Sequence, residues 1–223
     1  MQLKIDLLRH GETTLSHTLR GSTDDDLTEL GWQQMQQTIF NDQMDQPSAS
    51  SYLVSKNWHV IFTSPLKRCA LFAETVSEQL SIPLLSDPQL QEMHFGDWEG
   101  LSTQYLYENE PELLANFWQQ PTQFTPLNAE SMQNFQSRVF KALKNIQLKM
   151  LENNLQNALI VTHGGVIKLL KCIALQQPLD DILKMSAELG QLNSFVLDSE
   201  TMQLQLSASA ILEKDINMLE QNK

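Results

Sequence analysis

The stretch LKIDLLRHGETT, Leu3 to Thr14, decides how the chain is read. Its first half is a short, mostly apolar run of strand character. The run then gives way abruptly to Arg9, His10 and Gly11. Two similar runs follow. HVIFT (59–63) leads into Thr63-Ser64-Pro65-Leu66-Lys67-Arg68, and ALIVT (158–162) leads into Thr162-His163-Gly164-Gly165. ALIVT is nearly all apolar, as expected of a strand covered on both faces. SFVLD (194–198) and MQLQLSAS (202–209) read as a terminal hairpin, the second with regular alternation.

Segments of helical period separate these strands. Leu66, Cys69, Ala70, Ala73, Val76 and Leu80 fall on a helical repeat, behind Ser64 as N-cap and Pro65 as first helical residue. Phe135, Val139, Leu143, Ile146 and Met150 mark one face of a second helix. Val166, Leu169, Leu170 and Ile173 mark a third, entered through Gly164 and Gly165. Alternating strand and helix predicts a three-layer α/β/α sandwich around a mostly parallel sheet. Residues 101–130, rich in aromatic and acidic residues and broken by prolines, are expected to form short helices laid as a lid over one face. Asn41 to Asn57 reads as a polar surface excursion. No repeat or long linker divides the chain, so residues 1–223 are taken as one domain.

The bulk properties exclude some classes of function. A net charge of −12 on 223 residues repels nucleic acid, and no basic run appears. No apolar run approaches the roughly 20 residues of a membrane span. MQLKIDLL enters a strand pattern at once, without the features of a secretory signal. Cys69 and Cys172 lie in apolar helical patterns and suit buried thiols of a reducing compartment. A cytoplasmic protein is expected, with no nucleic-acid or membrane partner.

The polar residues at the strand ends carry more. In open parallel sheets ligands bind beyond the carboxyl ends of the strands. Parallel pairing of the first three runs would gather Arg9, His10, Arg68 and His163 there. Guanidinium forks suit a tetrahedral oxyanion, and the chain spends three of its four arginines on or near these motifs, Arg20 being the third. The N-terminus of the helix opened by Gly164-Gly165 adds free N–H groups. His17, His59 and His94 are expected to be structural, and no histidine spacing suggests a metal site.

LRHGET (8–13) resembles the signature of the histidine phosphatase superfamily, which includes phosphoglycerate mutases and many small-molecule phosphatases. The resemblance continues in order through Arg20-Gly21, DDDLTELGWQQ (24–34), TSPLKRC (63–69), LQEMHFGDWEG (90–100), AESMQNFQSRV (129–139) and VTHGGVIK (161–168). It implies that His10 is a nucleophile that becomes phosphohistidine. Arg9, Arg68 and His163 are then the other members of the phosphate pocket, and Glu92 is the general acid. Arg20, Gly21, Ser22, Thr23 and Gly164 are implied to contact substrate, and no metal or other cofactor is implied. The 90–100 block is very similar to that of α-ribazole phosphatases. Ala129-Glu130-Ser131 stands where many relatives have Gly-Glu-Ser, in a loop that touches substrate in the family.

Chemistry at such a site makes further demands. His10 must stay neutral to attack, and Arg9 and Arg68 disfavour its protonated form. Protonated His163 would donate to the bound dianion. Glu92 must carry a proton, and the flanking Met93, Phe95 and Trp98 are expected to favour that form by desolvation. Between Arg68 and Arg138 the chain has no lysine or arginine. A mutase holding a second anionic group would need cations in that cover, so a small-molecule phosphomonoesterase is the preferred reading. A mutase-type phosphotransferase and an inert phosphate-binding relative are the alternatives, and a homodimer is compatible with either.

Overall fold

The computed structural model describes residues 1–40 and 57–207. The 41–57 excursion and the end of the terminal hairpin therefore lie almost entirely outside the described residues.

Six strands form one sheet: β1 (Gln2–Arg9), β2 (Val60–Thr63), β3 (Leu84–Ser86), β4 (Asn157–Thr162), β5 (Leu192–Asp198) and β6 (Leu204–Leu206). Their order across the sheet is β3-β2-β4-β1-β5-β6. β1, β4, β2 and β3 are mutually parallel, and only β5 runs against its neighbours. Register explains why the first three strand ends meet: Arg9 lies opposite Thr162, and Thr63 opposite Val161. The backbone continues this alignment past the strands, with His10 N donating to Thr162 O at 3.0 Å and Ser64 N to Val161 O at 3.0 Å.

Helices cover both faces. α1 (Glu29–Phe40) and α2 (Lys67–Leu80) pack Met35, Cys69, Phe72, Ala73 and Val76 against Leu8, Ile61, Leu159 and Val161. On the other side α5 (Met132–Glu152) and α6 (Gly164–Ala174) bury Phe135, Val139, Val166 and Leu169 against Leu3, Ile5, Leu7 and Ile160. Alternate residues of β1 thus feed two separate cores, as a pleated strand requires. Residues 101–130 contain α3 (Thr103–Asn109) and α4 (Pro111–Gln119), rooted in the second core through Leu106, Leu114 and Phe117.

The sandwich and its largely parallel sheet agree with the sequence reading. α1 and β3 do not appear in it, because α1 is glutamine-rich with only Gly31 and Met35 buried, and β3 has three residues. The N-cap expected at Ser64 is also displaced. Leu66 occupies that position without a side-chain cap of its own, while the Ser64 hydroxyl accepts from Leu66 N at 3.4 Å and from His163 Nε2 at 2.8 Å.

Ile5 is wholly buried at the centre of the sheet, whereas Leu71 on α2 is exposed. Urea unfolding of Ile5→Ala is expected to show a loss of about 2–5 kcal/mol, against about 0.5 kcal/mol or less for Leu71→Ala. Equal losses would mean that β1 is not the centre of the core.

Candidate active site

A cavity of about 260 Å³ opens beyond the carboxyl ends of β1 and β4. Arg9, His10, Arg20, Glu92, Gly164, Gly165 and Lys168 form its polar wall, while Phe95, Phe117, Trp118 and Leu183 form much of the apolar one.

His10 is 3% exposed, and its Nδ1 lies 2.8 Å from the carbonyl of Gly11. A carbonyl only accepts, so Nδ1 carries the proton and the neutral ring keeps its lone pair on Nε2. Burial, followed by the charges of Arg68 and Arg9, holds the ring well below the ordinary histidine pKa. The nitrogen is therefore a free base at neutral pH, with guanidinium groups beside it.

His163 stacks edge-on to His10 with ring centroids 5.3 Å apart, but it does not line the cavity. Arg68 Nε donates to its Nδ1 at 3.3 Å, and its Nε2 donates to Ser64 Oγ at 2.8 Å. Both ring nitrogens are committed, and burial, with Arg68 next, keeps the ring neutral. Burial and the Arg68 guanidinium thus disfavour the protonated form that donation to a bound dianion would need.

Arg68 is also behind the wall. It is fully buried, and beyond His163 its N–H groups go to Asp25 at 3.2 Å and to the carbonyls of Arg20, Gly21 and Thr23. Asp25 pairs with Arg20 as well, at 2.7 Å. Burial works against its charge, but hydrogen bonds from Thr13 and Leu15 and the two arginines outweigh it and hold its pKa below the usual carboxylate range. Gly21, Ser22 and Thr23 do not line the cavity either. Their amides converge on the Glu99 carboxylate at 2.9–3.2 Å, and the Thr23 hydroxyl joins them at 2.7 Å.

The direct donors are Arg9 and Arg20. Each has a buried Nε with no hydrogen-bond partner among the described residues. A buried donor left unpaired costs free energy that an oxyanion in the cavity would return. Lys168, one turn into α6, adds a third cation, and burial, then Arg9, lowers its pKa from the ordinary lysine value. Sequence reading passed over Lys168 although it ends the quoted VTHGGVIK block; its spacing from Gly164 puts it on the same helix face.

Glu92 faces these cations. Its Oε2 accepts from Gly165 N at 2.9 Å and its Oε1 from Met93 N at 3.0 Å. A Cβ at position 165 would come within 2.1 Å of Oε1, so the carboxylate seat requires glycine there. The apolar setting expected for Glu92 is only partial, because Trp98 turns away into the core against Phe117. Among the described residues no group of three or more His, Cys, Asp or Glu side chains is arranged to hold a metal, and no helix is long and apolar enough to cross a membrane.

The two neutral histidines have a thermodynamic consequence. Below their ordinary pKa of 6.5 the unfolded chain binds protons that the folded rings refuse. Stability is therefore predicted to fall as pH drops below that value, by on the order of 1 kcal/mol per pH unit for each ring. Urea melts between about pH 7.5 and pH 5 should show this slope, reduced in His163→Gln. A variant slope equal to wild type would contradict burial of a neutral ring at 163.

The model of the histidine phosphatase superfamily (branch 1) matches residues 5–209. The adenosylcobalamin/α-ribazole phosphatase of Salmonella typhimurium is 28% identical over 190 residues, covering 84% of this chain and 87% of that protein. The bifunctional protein Rv2228c of Mycobacterium tuberculosis is 30% identical over 190 residues, but the match covers 84% of this chain and 48% of that protein, about half its length. YhfR of Bacillus stearothermophilus superposes with a TM-score of 0.77 at 26% identity, over 95% of this chain and 98% of that one. The chain belongs to the histidine phosphatase superfamily.

Proposed function

We propose that the chain is a phosphomonoesterase that works through a phosphohistidine at His10. The carrying observation is a neutral imidazole with a free Nε2, set in one cavity beside two arginines whose buried Nε donors lack partners. Family membership and the phosphatase names of relatives support the activity.

The phosphate enters with its oxygens toward Arg9, Arg20 and Lys168. His10 Nε2 attacks phosphorus while the bond to the ester oxygen breaks, and Glu92 passes its proton to that oxygen. Water then attacks the phosphohistidine, Glu92 takes its proton, and the phosphorus–nitrogen bond breaks to release phosphate. The arginines stay fixed while charge spreads over the phosphoryl oxygens, which is where preorganised donors act most. Arg68 and His163 act behind the wall, fixing the 20–25 loop and keeping the neighbouring ring neutral. Gly164 lets the Arg9 guanidinium lie against the start of α6, where a Cβ would stand 3.1 Å from it.

The cavity wall narrows the substrate. Arg9, Arg20 and Lys168 stand on the side of the phosphate, facing a Glu92 that is protonated when it acts as the acid. The organic part lies along Phe95, Phe117 and Trp118, an apolar surface that suits an uncharged group better than a second anion. α-Ribazole 5′-phosphate fits that description, and relatives named for it support the choice. From the 101–130 insertion, α4 reaches this ester group through Phe117 and Trp118. The buried, unpaired Cys69 and Cys172 agree with a cytoplasmic location.

Phosphate release should be measured on α-ribazole 5′-phosphate, 3-phosphoglycerate, sugar and nucleoside phosphates and nitrophenyl phosphate. His10→Ala is expected to abolish turnover of all of them. Glu92→Gln should slow alkyl esters by about 10²–10⁴-fold and nitrophenyl phosphate far less, since only a poor leaving group needs the proton. Isomerisation of 3-phosphoglycerate as the dominant reaction would favour the mutase reading instead. Undiminished turnover in His10→Ala would end the phosphohistidine account.

A further inference from the structure

Arg138, the fourth arginine, lies outside the cavity on α5. Its Nη1 donates to the carbonyls of Gln89 at 2.9 Å and Gln91 at 2.7 Å, and its Nη2 to that of Glu92 at 2.7 Å. The remaining carbonyl of this run, on Leu90, accepts from Thr162 Oγ1 at 2.8 Å. Every carbonyl from residue 89 to 92 is therefore held, three of them by one side chain. Gln91 to Phe95 belong to no helix or strand, so no backbone ladder would otherwise fix them.

The guanidinium is itself held. Glu130 accepts from Nε at 2.7 Å and from Nη2 at 2.9 Å, the forked geometry that only arginine offers a carboxylate. The Phe135 ring lies 4.8 Å from its central carbon. Glu130 also reaches the irregular segment beyond the acid, its N donating to His94 O at 2.9 Å. The pair thus brackets Glu92 on both sides along the chain, leaving only the carboxyl free to enter the cavity.

We propose that Arg138, oriented by Glu130, is the positioning residue of the general acid, a reading that rests on the role given to Glu92 above. The requirement is geometric. A proton donor must stand within about 2.6–3.2 Å of the oxygen it serves, and an error of about 1 Å at such a group can cost 10²-fold in rate. Glu92 sits on an irregular segment, so its placement depends on those carbonyl bonds. Lysine has one nitrogen and cannot span three carbonyls and a carboxylate together. This also changes the reading of Ala129-Glu130-Ser131. None of the three lines the cavity, the Ser131 hydroxyl caps α5 by accepting from Asn134 N at 3.2 Å, and the Glu130 carboxylate serves the acid.

The test compares kcat/KM on an alkyl phosphate and on nitrophenyl phosphate for Arg138→Gln, Arg138→Lys, Glu130→Gln and Glu92→Gln, with inhibition by inorganic phosphate as a measure of the intact cradle. Arg138→Gln is expected to lose about 10²-fold on the alkyl ester and about threefold or less on nitrophenyl phosphate, with phosphate inhibition unchanged. Combined with Glu92→Gln it should add nothing further, because it acts through that residue. Arg138→Lys and Glu130→Gln should show the same leaving-group bias at smaller size, and they carry the test where Arg138→Gln does not fold. Equal losses on both esters, or losses that multiply with Glu92→Gln, would make the clamp merely structural and overturn the proposal. A wild-type protein inactive on both esters would instead refute the phosphatase reading itself.

Discussion

Arg68 carries a full positive charge and has no exposed surface. Removing an ion of this size from water costs several kcal/mol unless the protein replaces every lost hydrogen bond. Much of the site follows from that demand. The chain between residues 20 and 25 curls so that three carbonyls and the Asp25 carboxylate face the guanidinium, while His163 accepts its last N–H. A loop bent to offer its carbonyls inward turns its amides outward, and the carboxylate of Glu99 collects them. Asp25, placed by the same loop, then anchors Arg20 at the cavity wall.

The electrostatics follow from this scaffold. Burial keeps His10 unprotonated, and the charges of Arg68 and Arg9 act in the same sense. The guanidinium groups are thereby assembled around a neutral imidazole, which is the arrangement the proposed mechanism needs of its nucleophile. Glu92 is held by a separate device, through the α6 amide of Gly165 and the Arg138 clamp. In the proposed mechanism, proton transfer and phosphoryl binding therefore depend on different supports, which makes them separable by mutation.

Much of this can be read from the sequence. LKIDLL, HVIFT and ALIVT are apolar runs of strand length with charged or imidazole residues directly after them, and parallel pairing brings those ends together. What escaped is what depends on direction rather than proximity. Arg68 and His163 belong to the cluster, yet their side chains turn behind His10, and sequence spacing carries no such orientation. Asp25 and Glu99 sit among other acidic residues and look like solvated loop charges until the loop is seen wrapped around them. Lys168 is not apparent from the 69–137 stretch, which holds the 101–130 insertion and no cation, because it comes from α6. Ser64 has the composition of a helix cap and still accepts from Leu66 N, but its hydroxyl also receives a buried imidazole that spacing along the chain does not reveal.

The central claim is that Gly11 fixes the proton on Nδ1 and thereby selects Nε2 of His10 as the atom that takes the phosphoryl group. It is tested most directly by rapidly quenching the enzyme during turnover in alkali, which preserves phosphohistidine, and locating the phosphorus by ³¹P–¹⁵N correlation in protein labelled at its histidine nitrogens. The account predicts a single adduct on Nε2 of His10. Phosphorus on Nδ1, on His163 or on a carboxylate, or an enzyme that turns over with no covalent adduct, would contradict it.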